Sequence, residues 1–285
     1  MNEERSIRAG NLDWVAVWER MRAEAAAAKE GIPHAGVEDR WARRAERFDR
    51  RSRAHHAGEA LPAVLEAAVR PGDVVIDVGA GTGRHVIPFA RRAARVIAVE
   101  PSPSMRDRLS ARVAEEGLGN VDIVAASWPM IPEGPSGDVV FSSHVVYAVD
   151  DVPAFLMAMT RASRRLCVLC LGLRAPADAL APLWRRVRGR DVSPRPAALE
   201  TLNLLYQVGA RAEMTLEAGS ERVFAWKSND EDVAELCHRL SLEPDAGNMA
   251  LVREALAAEA PANEEGVHVL GTTGPNALIC WEGAG

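Results

Sequence analysis

Between about Pro71 and Gly172 the apolar residues fall into short unbroken runs, separated by stretches in which they return every three or four positions. Short runs suit strands buried on both faces, and the wider spacing suits amphipathic helices, so the alternation predicts a parallel sheet with crossover helices. DVVIDV (73–78), RVIAVE (95–100), VDIVA (121–125), DVVFSS (138–143) and RLCVLCL (165–171) predict five strands. Helices are expected near 84–93, 103–116 and 150–163. The second opens on Ser102 and Pro103, an N-cap followed by a proline whose missing amide hydrogen costs nothing in the first turn.

The flanks read differently. In the first 70 residues Trp14, Trp18 and Met21, then Trp41, Ala45 and Phe48, recur at helical spacing, which predicts two or three amphipathic helices across the open edge or mouth of the sheet. After the central block, 176–190 and 197–208 read as helices, 211–217 as a strand and 229–259 as two further helices, with Ser228 and Glu231 forming a capping box. The closing VHVLGTTGPNALICWE reads as a hairpin around a Gly-Thr-Thr-Gly-Pro turn. The expected organisation is an N-terminal helical cap (1–69), a central α/β core (70–175), a helical region with one strand that adds to the cap (176–260), and a terminal hairpin completing the sheet (261–285).

Composition narrows the function. The 285 residues carry a formal charge of -6, which argues against a general affinity for nucleic acid, whose phosphates require a basic face. Arg40 to Arg53 is an exception, with seven arginines against two acids; it reads as a solvated helix face, or as an anion-attracting rim. No apolar run reaches the roughly 18 residues that a membrane span requires, and MNEERSIRAGNLDW is charged where a signal peptide is apolar, so a cytoplasmic protein without membrane contact is expected. Cys167 and Cys170 form a C-x-x-C inside a strand, where residues three apart face opposite ways, so they read as buried structural residues and no metal site is expected.

The candidate chemistry lies in DVGAGTG at 77–83. A dinucleotide loop needs G-x-G-x-x-G, but the sixth residue counted from Gly79 is Arg84 and from Gly81 is Val86; a nicotinamide-dependent oxidoreductase is therefore disfavoured. No Gly-Lys-Ser/Thr follows either, which removes the phosphate-binding loop. Asp77 instead precedes Gly79, Gly81 and Gly83. That arrangement suits S-adenosylmethionine, which has no phosphate: bare backbone approaches its methionyl part, a helix starting near Arg84 favours its carboxylate, and an acid meets its cationic centre. Glu100, closing the second strand, is placed to accept from both ribose hydroxyls.

DVGAGTG, AVEPSPSM (98–105) and GDVVFSSHVVYAVDD (137–151) together resemble the class I S-adenosylmethionine-dependent methyltransferases, nearest to the small-molecule enzymes called type 11 or 12, over residues 70 to 172. The resemblance implies a doubly wound, seven-stranded, mostly parallel Rossmann-like sheet with a helical cap. It implies that Asp77, Gly79, Gly81 and Gly83 wall the methionine, that Glu100 holds the ribose, and that Pro101 and Met105 flank the adenine. Many members carry an acid after the third strand; here Ser127 and Trp128 stand there, so a hydroxyl or backbone contact replaces it. Ser143 and the rest of SSHVVY (142–147) should border the transferred methyl. His144 is the candidate base or acceptor-orienting group, and Tyr147 a candidate orienting hydroxyl; for each the alternative is packing. The product would be S-adenosylhomocysteine. Motifs that position flipped amines or attack cytosine are absent, so the expected partner is a small-molecule acceptor, its atom oxygen, nitrogen or carbon. A catalytically silent cofactor-binding module is the alternative from another class, and the oligomeric state is not readable.

Overall fold

The computed structural model describes residues 12–27, 45, 46, 49, 63–131, 134–217, 223–272 and 274–285. Trp41, Phe48, His55, His56 and most of the arginine-rich segment lie outside them.

The five expected central strands form as β1 (Val74–Val78), β2 (Arg95–Val99), β3 (Val121–Val124), β4 (Gly137–Ser143) and β5 (Ser163–Gly172). With β6 (Glu213–Glu217) and β9 (Asn276–Glu282) they build a seven-stranded sheet in the order β3-β2-β1-β4-β5-β9-β6. The pairs among β1 to β5 are parallel, while β9 runs antiparallel to both of its neighbours. The order reverses beside β1, placing a crevice outside the carboxyl ends of β1 and β4 where ligands bind in such sheets.

Alternation along the strands explains why their apolar runs are unbroken. Ile76, Val78, Ile97, Val99, Val140, Cys167 and Leu169 enter one buried cluster, with Phe155, Leu156 and Met159 of the Val152–Ala162 helix packed against them. Val75, Val96, Ala98, Phe141, Val168 and Cys170 enter the other, beneath Phe89 and Leu109. Cys167 and Cys170 thus do face opposite ways, and burial pushes the Cys167 thiol up to about 12.

The sequence expectations need four corrections. The terminal strands do not pair with each other: β8 (Val267–Thr272) joins β7 (Val223–Lys227) in a separate two-stranded sheet, whereas β9 inserts between β5 and β6. β7 itself was not expected, although Phe224 and Trp226 alternate inward along it. The cap of the Asp230–Arg239 helix is Asn229, whose side chain accepts from the Asp232 amide; Ser228 instead bonds the His268 ring at 2.7 Å. The helix after the glycine loop is short, Val86–Ala90, so it offers little dipole to an anion.

Residues 176–260 own a third cluster, in which Leu183, Trp184, Trp226, Val233, Leu236, Val252 and Leu256 pack together. The Trp14–Ala27 helix lies elsewhere, against the Ala198–Gln207 helix: the Gln207 amide donates to Asp13 at 2.8 Å, and Asp13 accepts from the Val15 and Ala16 amides. Arg22 reaches from it to the Val149 and Asp150 carbonyls just beyond β4. No helix among the described residues is long and apolar enough to cross a membrane.

Candidate active site

The loop leaving β1 holds Gly79, Gly81 and Gly83 at φ of 75°, 56° and 89°, a region that side chains with a Cβ avoid. At Gly79 the approach is also close, since an added Cβ would lie 2.3 Å from Val145 Cγ2. The Gly79 and Ala80 amides donate to the Val99 carbonyl at 2.8 and 3.1 Å, stitching the loop to the end of β2. Glu100 continues the seam. Its buried carboxylate accepts from the Gly81 amide at 2.8 Å and from the Ser102 amide at 2.9 Å.

Two polar atoms in this wall are buried without a hydrogen-bond partner: Asp77 Oδ2 and Thr82 Oγ1. Burial first, and then the Glu100 charge, push the Asp77 carboxyl up to about 8. An acid pair held out of water beside a loop bare of side chains matches the ammonium and sulfonium of S-adenosylmethionine, and carboxylate oxygens retain lone pairs for hydroxyl donors. The residues therefore suit that group, with Thr82 an addition that its apolar-looking neighbours had hidden.

Other expected contacts are distributed less evenly. Pro101 is exposed, but Met105 is only 2% exposed in the first turn of the Pro103–Glu115 helix. Ser127 is exposed at the end of the third-strand loop, while the Trp128 indole donates to the Phe155 carbonyl at 3.3 Å. Any hydrogen bond that the 127–128 segment gives a ligand thus falls to Ser127 or the backbone. His85 packs edge-on against Phe141 at 4.8 Å, in keeping with a structural role. Asp151 caps the helix that follows, accepting from the Ala154 amide, and Asp150 pairs with Arg22.

At the exit of β4 the chain turns sharply. Ser142 donates to the Val78 carbonyl at 2.9 Å, Ser143 is half-buried, and His144 adopts φ 57° with its amide bonded to the Cys170 carbonyl at 2.9 Å. The His144 ring lies 6.0 Å from that of Tyr147, nearly parallel. Tyr147 is fixed in turn, because its hydroxyl accepts from the Gly172 amide at 2.8 Å. Its expected task of orienting a substrate by that hydroxyl is thus already partly taken by the end of β5.

Beside Tyr147 a cavity of about 290 Å³ opens under the Trp14–Ala27 helix, lined also by Trp18, Arg22, Ala25 and Arg195. Of the tryptophans on the flanks, Trp18 lines it; Trp14 packs against the core, and Trp184 is buried in the third cluster. Arg22 and Arg195 carried no sequence signal, being two among many arginines. Among the described residues no group of His, Cys, Asp or Glu is arranged to hold a metal.

Residues 75–165 match the family model described as a methyltransferase domain. Among curated relatives, a protein from Methanosphaera stadtmanae assigned as ribosomal RNA small subunit methyltransferase A is 34% identical over 65 residues, 22% of this chain and 24% of its own. The malonyl-[acyl-carrier protein] O-methyltransferase of Serratia marcescens is 31% identical over 123 residues, 42% of this chain and 46% of its own. The chain thus spans less than half the length of either. A solved structure of a candidate methyltransferase from Bacillus halodurans superposes with a TM-score of 0.56 at 14% identity, covering 79% of this chain and 99% of the other. The strand order, the glycine wall and the matched stretch agree: residues 75–165 are a methyltransferase domain, set in the class I S-adenosylmethionine-dependent methyltransferase fold.

Proposed function

We propose that this protein transfers a methyl group from S-adenosylmethionine to an oxygen, nitrogen or carbon atom of a small organic molecule. The observation that carries the reading is a juxtaposition. Val145 touches the glycine loop at Gly79, and two residues on Tyr147 lines the cavity, so one short segment separates a wall suited to the donor from a chamber suited to an acceptor. The relatives named above bear different acceptors in their names, and the small-molecule reading rests on the size of the cavity beside Tyr147 instead.

In this reading Asp77, Gly79, Gly81, Gly83 and Thr82 hold the methionyl part. Glu100 accepts from the ribose, and Pro101, Met105 and the Ser127–Trp128 segment border the adenine. Bound there, the cofactor supplies an electrophilic methyl. The chain's own part is alignment, because an in-line displacement depends above all on the approach of the acceptor. The tight His144 turn fixes the floor of that approach, Ser143 borders it, and the His144 imidazole is the group available to take a proton from a hydroxyl or ammonium acceptor. The Trp14–Ala27 helix forms one wall of the chamber.

Calorimetry with S-adenosylhomocysteine and with a reduced nicotinamide cofactor tests the donor. The expected result is binding of the first alone, and the reverse would overturn the reading. Turnover of S-adenosylmethionine that depends on an added metabolite mixture separates an enzyme from a silent binding module, and its complete absence would favour the module.

A further inference from the structure

We infer that Arg106 is a positioning residue for the cofactor: its guanidinium fixes Glu100 and Pro101 against the ribose and adenine by holding their backbone carbonyls. The inference rests on the places given to Glu100 and Pro101 in the proposed function and adds the side chain that acts through them.

Arg106 sits one turn into the Pro103–Glu115 helix, and its amide bonds the Ser102 carbonyl at 3.0 Å. The side chain nevertheless reaches the chain ahead of that helix, where a single nitrogen, Nη1, donates to the Glu100 carbonyl at 2.9 Å and to the Pro101 carbonyl at 2.7 Å. Helical side chains lean toward the helix N-terminus, which is how a residue past the Ser102 cap reaches the two before it. Two successive carbonyls thus converge on one cation.

This clamp completes the fixing of Glu100. Its amide donates to the Val124 carbonyl at 3.0 Å, and its carboxylate oxygens accept from the Gly81 and Ser102 amides. Of these ties and the one to its carbonyl, only the last comes from a side chain, that of Arg106. Pro101 depends on it further, because a proline has no N–H and its carbonyl is its one backbone hydrogen-bonding group. Pro101 is also exposed, so packing restrains it little.

Bonds from a guanidinium are charge-assisted and stronger than neutral ones. Their value to the cofactor is preorganisation. A ribose diol and an adenine ring need an acceptor and an apolar surface at set positions, and a 100–101 segment free to swing presents them for only part of the time. Apparent affinity then falls by the populated fraction. Arg106 therefore acts on the nucleoside half of the ligand, not on the amino-acid half that faces the glycine loop.

The test uses the full chain and calorimetry with S-adenosylhomocysteine and with adenosine, which lacks the amino-acid half and is read by its competition with the first. Arg106→Gln should weaken both ligands by the same factor, about tenfold. Arg106→Met keeps the stem but no donor and should lose as much, which keeps the test decisive should Arg106→Gln not fold. Arg106→Lys keeps the charge and donates from one nitrogen, as Nη1 does, so it should recover part of the loss. Arg95→Gln removes an arginine from the opposite end of β2, where it pairs with Asp122, and should leave both affinities unchanged. Wild-type affinity in Arg106→Gln or Arg106→Met, a loss confined to S-adenosylhomocysteine, an equal loss in Arg95→Gln, or adenosine that does not compete at all would each overturn the inference. Failure of S-adenosylhomocysteine to bind the wild type would instead sink the methyltransferase reading itself.

Discussion

The wall proposed for the donor takes its residues from one stretch, Asp77 to Met105, whereas the cavity proposed for the acceptor draws on Trp18 to Ala25, Tyr147 and Arg195. The first is made of backbone amides and two buried acids, the second of two aromatic residues, two arginines and small apolar residues. On the proposed function, the contrast also separates what any methyltransferase of this fold needs from what would make this one particular. A wall of bare backbone cannot discriminate among acceptors, and a cavity of long side chains can.

The sharpest way to break the comparison is Gly79→Ala. Its Cβ would meet Val145 Cγ2 at 2.3 Å, on a backbone at φ 75°. Strain of about 1–3 kcal/mol and a displaced Val145 should together lower S-adenosylhomocysteine affinity by about a hundredfold, or about 2.7 kcal/mol. Calorimetry showing normal affinity would mean that the donor lies elsewhere.

A second effect follows from Asp77, which keeps its proton up to about pH 8. Because the ordinary value is 3.8, the native state holds a proton that the unfolded chain has lost throughout that window. The free protein should therefore lose stability as pH rises from about 4 to about 8, then level off. The ammonium of S-adenosylhomocysteine favours the Asp77 carboxylate, so affinity for that ligand should rise with pH by up to about tenfold per unit until about pH 8. Asp77→Asn should flatten both curves; thermal melts and calorimetry across the range are the measurements. A wild-type affinity independent of pH would place the ammonium away from Asp77.

The smallest effect expected is at His144, between the two walls. Asparagine tolerates positive φ as histidine does, so His144→Asn should change stability by less than about 1 kcal/mol while slowing transfer at saturating acceptor by about tenfold. Unchanged turnover would leave the turn, and not the imidazole, as the contribution of this residue.

Legibility in the sequence followed the same division. The parallel core was readable because its strands are buried on both faces, and the glycine wall because its spacing is a local property. What failed was partner choice. The run from Val267 to Glu282 has the form of a hairpin, yet each half pairs with a strand formed by residues 40 or more positions away. Trp226 and Phe224 carried an alternating signal in β7, but five residues beside a helix start are too few to outweigh it. Asn229 in place of Ser228 is a shift of one residue between two equally good caps. The cavity could not be found at all, because nothing in the chain order brings Arg22 near Arg195.

The insertion of β9 has a consequence for how the molecule is made. As the ribosome releases the chain, β1 to β5 can pair in turn, but the outer edge of β5 has no partner until residues 276–282 have emerged. β6 is synthesised much earlier and meets the sheet only through β9, so it waits as well. From the completion of β5 until 276–282 emerge, over roughly a third of the chain's synthesis, the nascent protein carries two open strand edges, one of them the apolar Leu166–Leu171 run. Such edges invite pairing with other chains and slow the final closure. The exposure of this chain to aggregation is then greatest before its last residues are in place, and not in the finished fold.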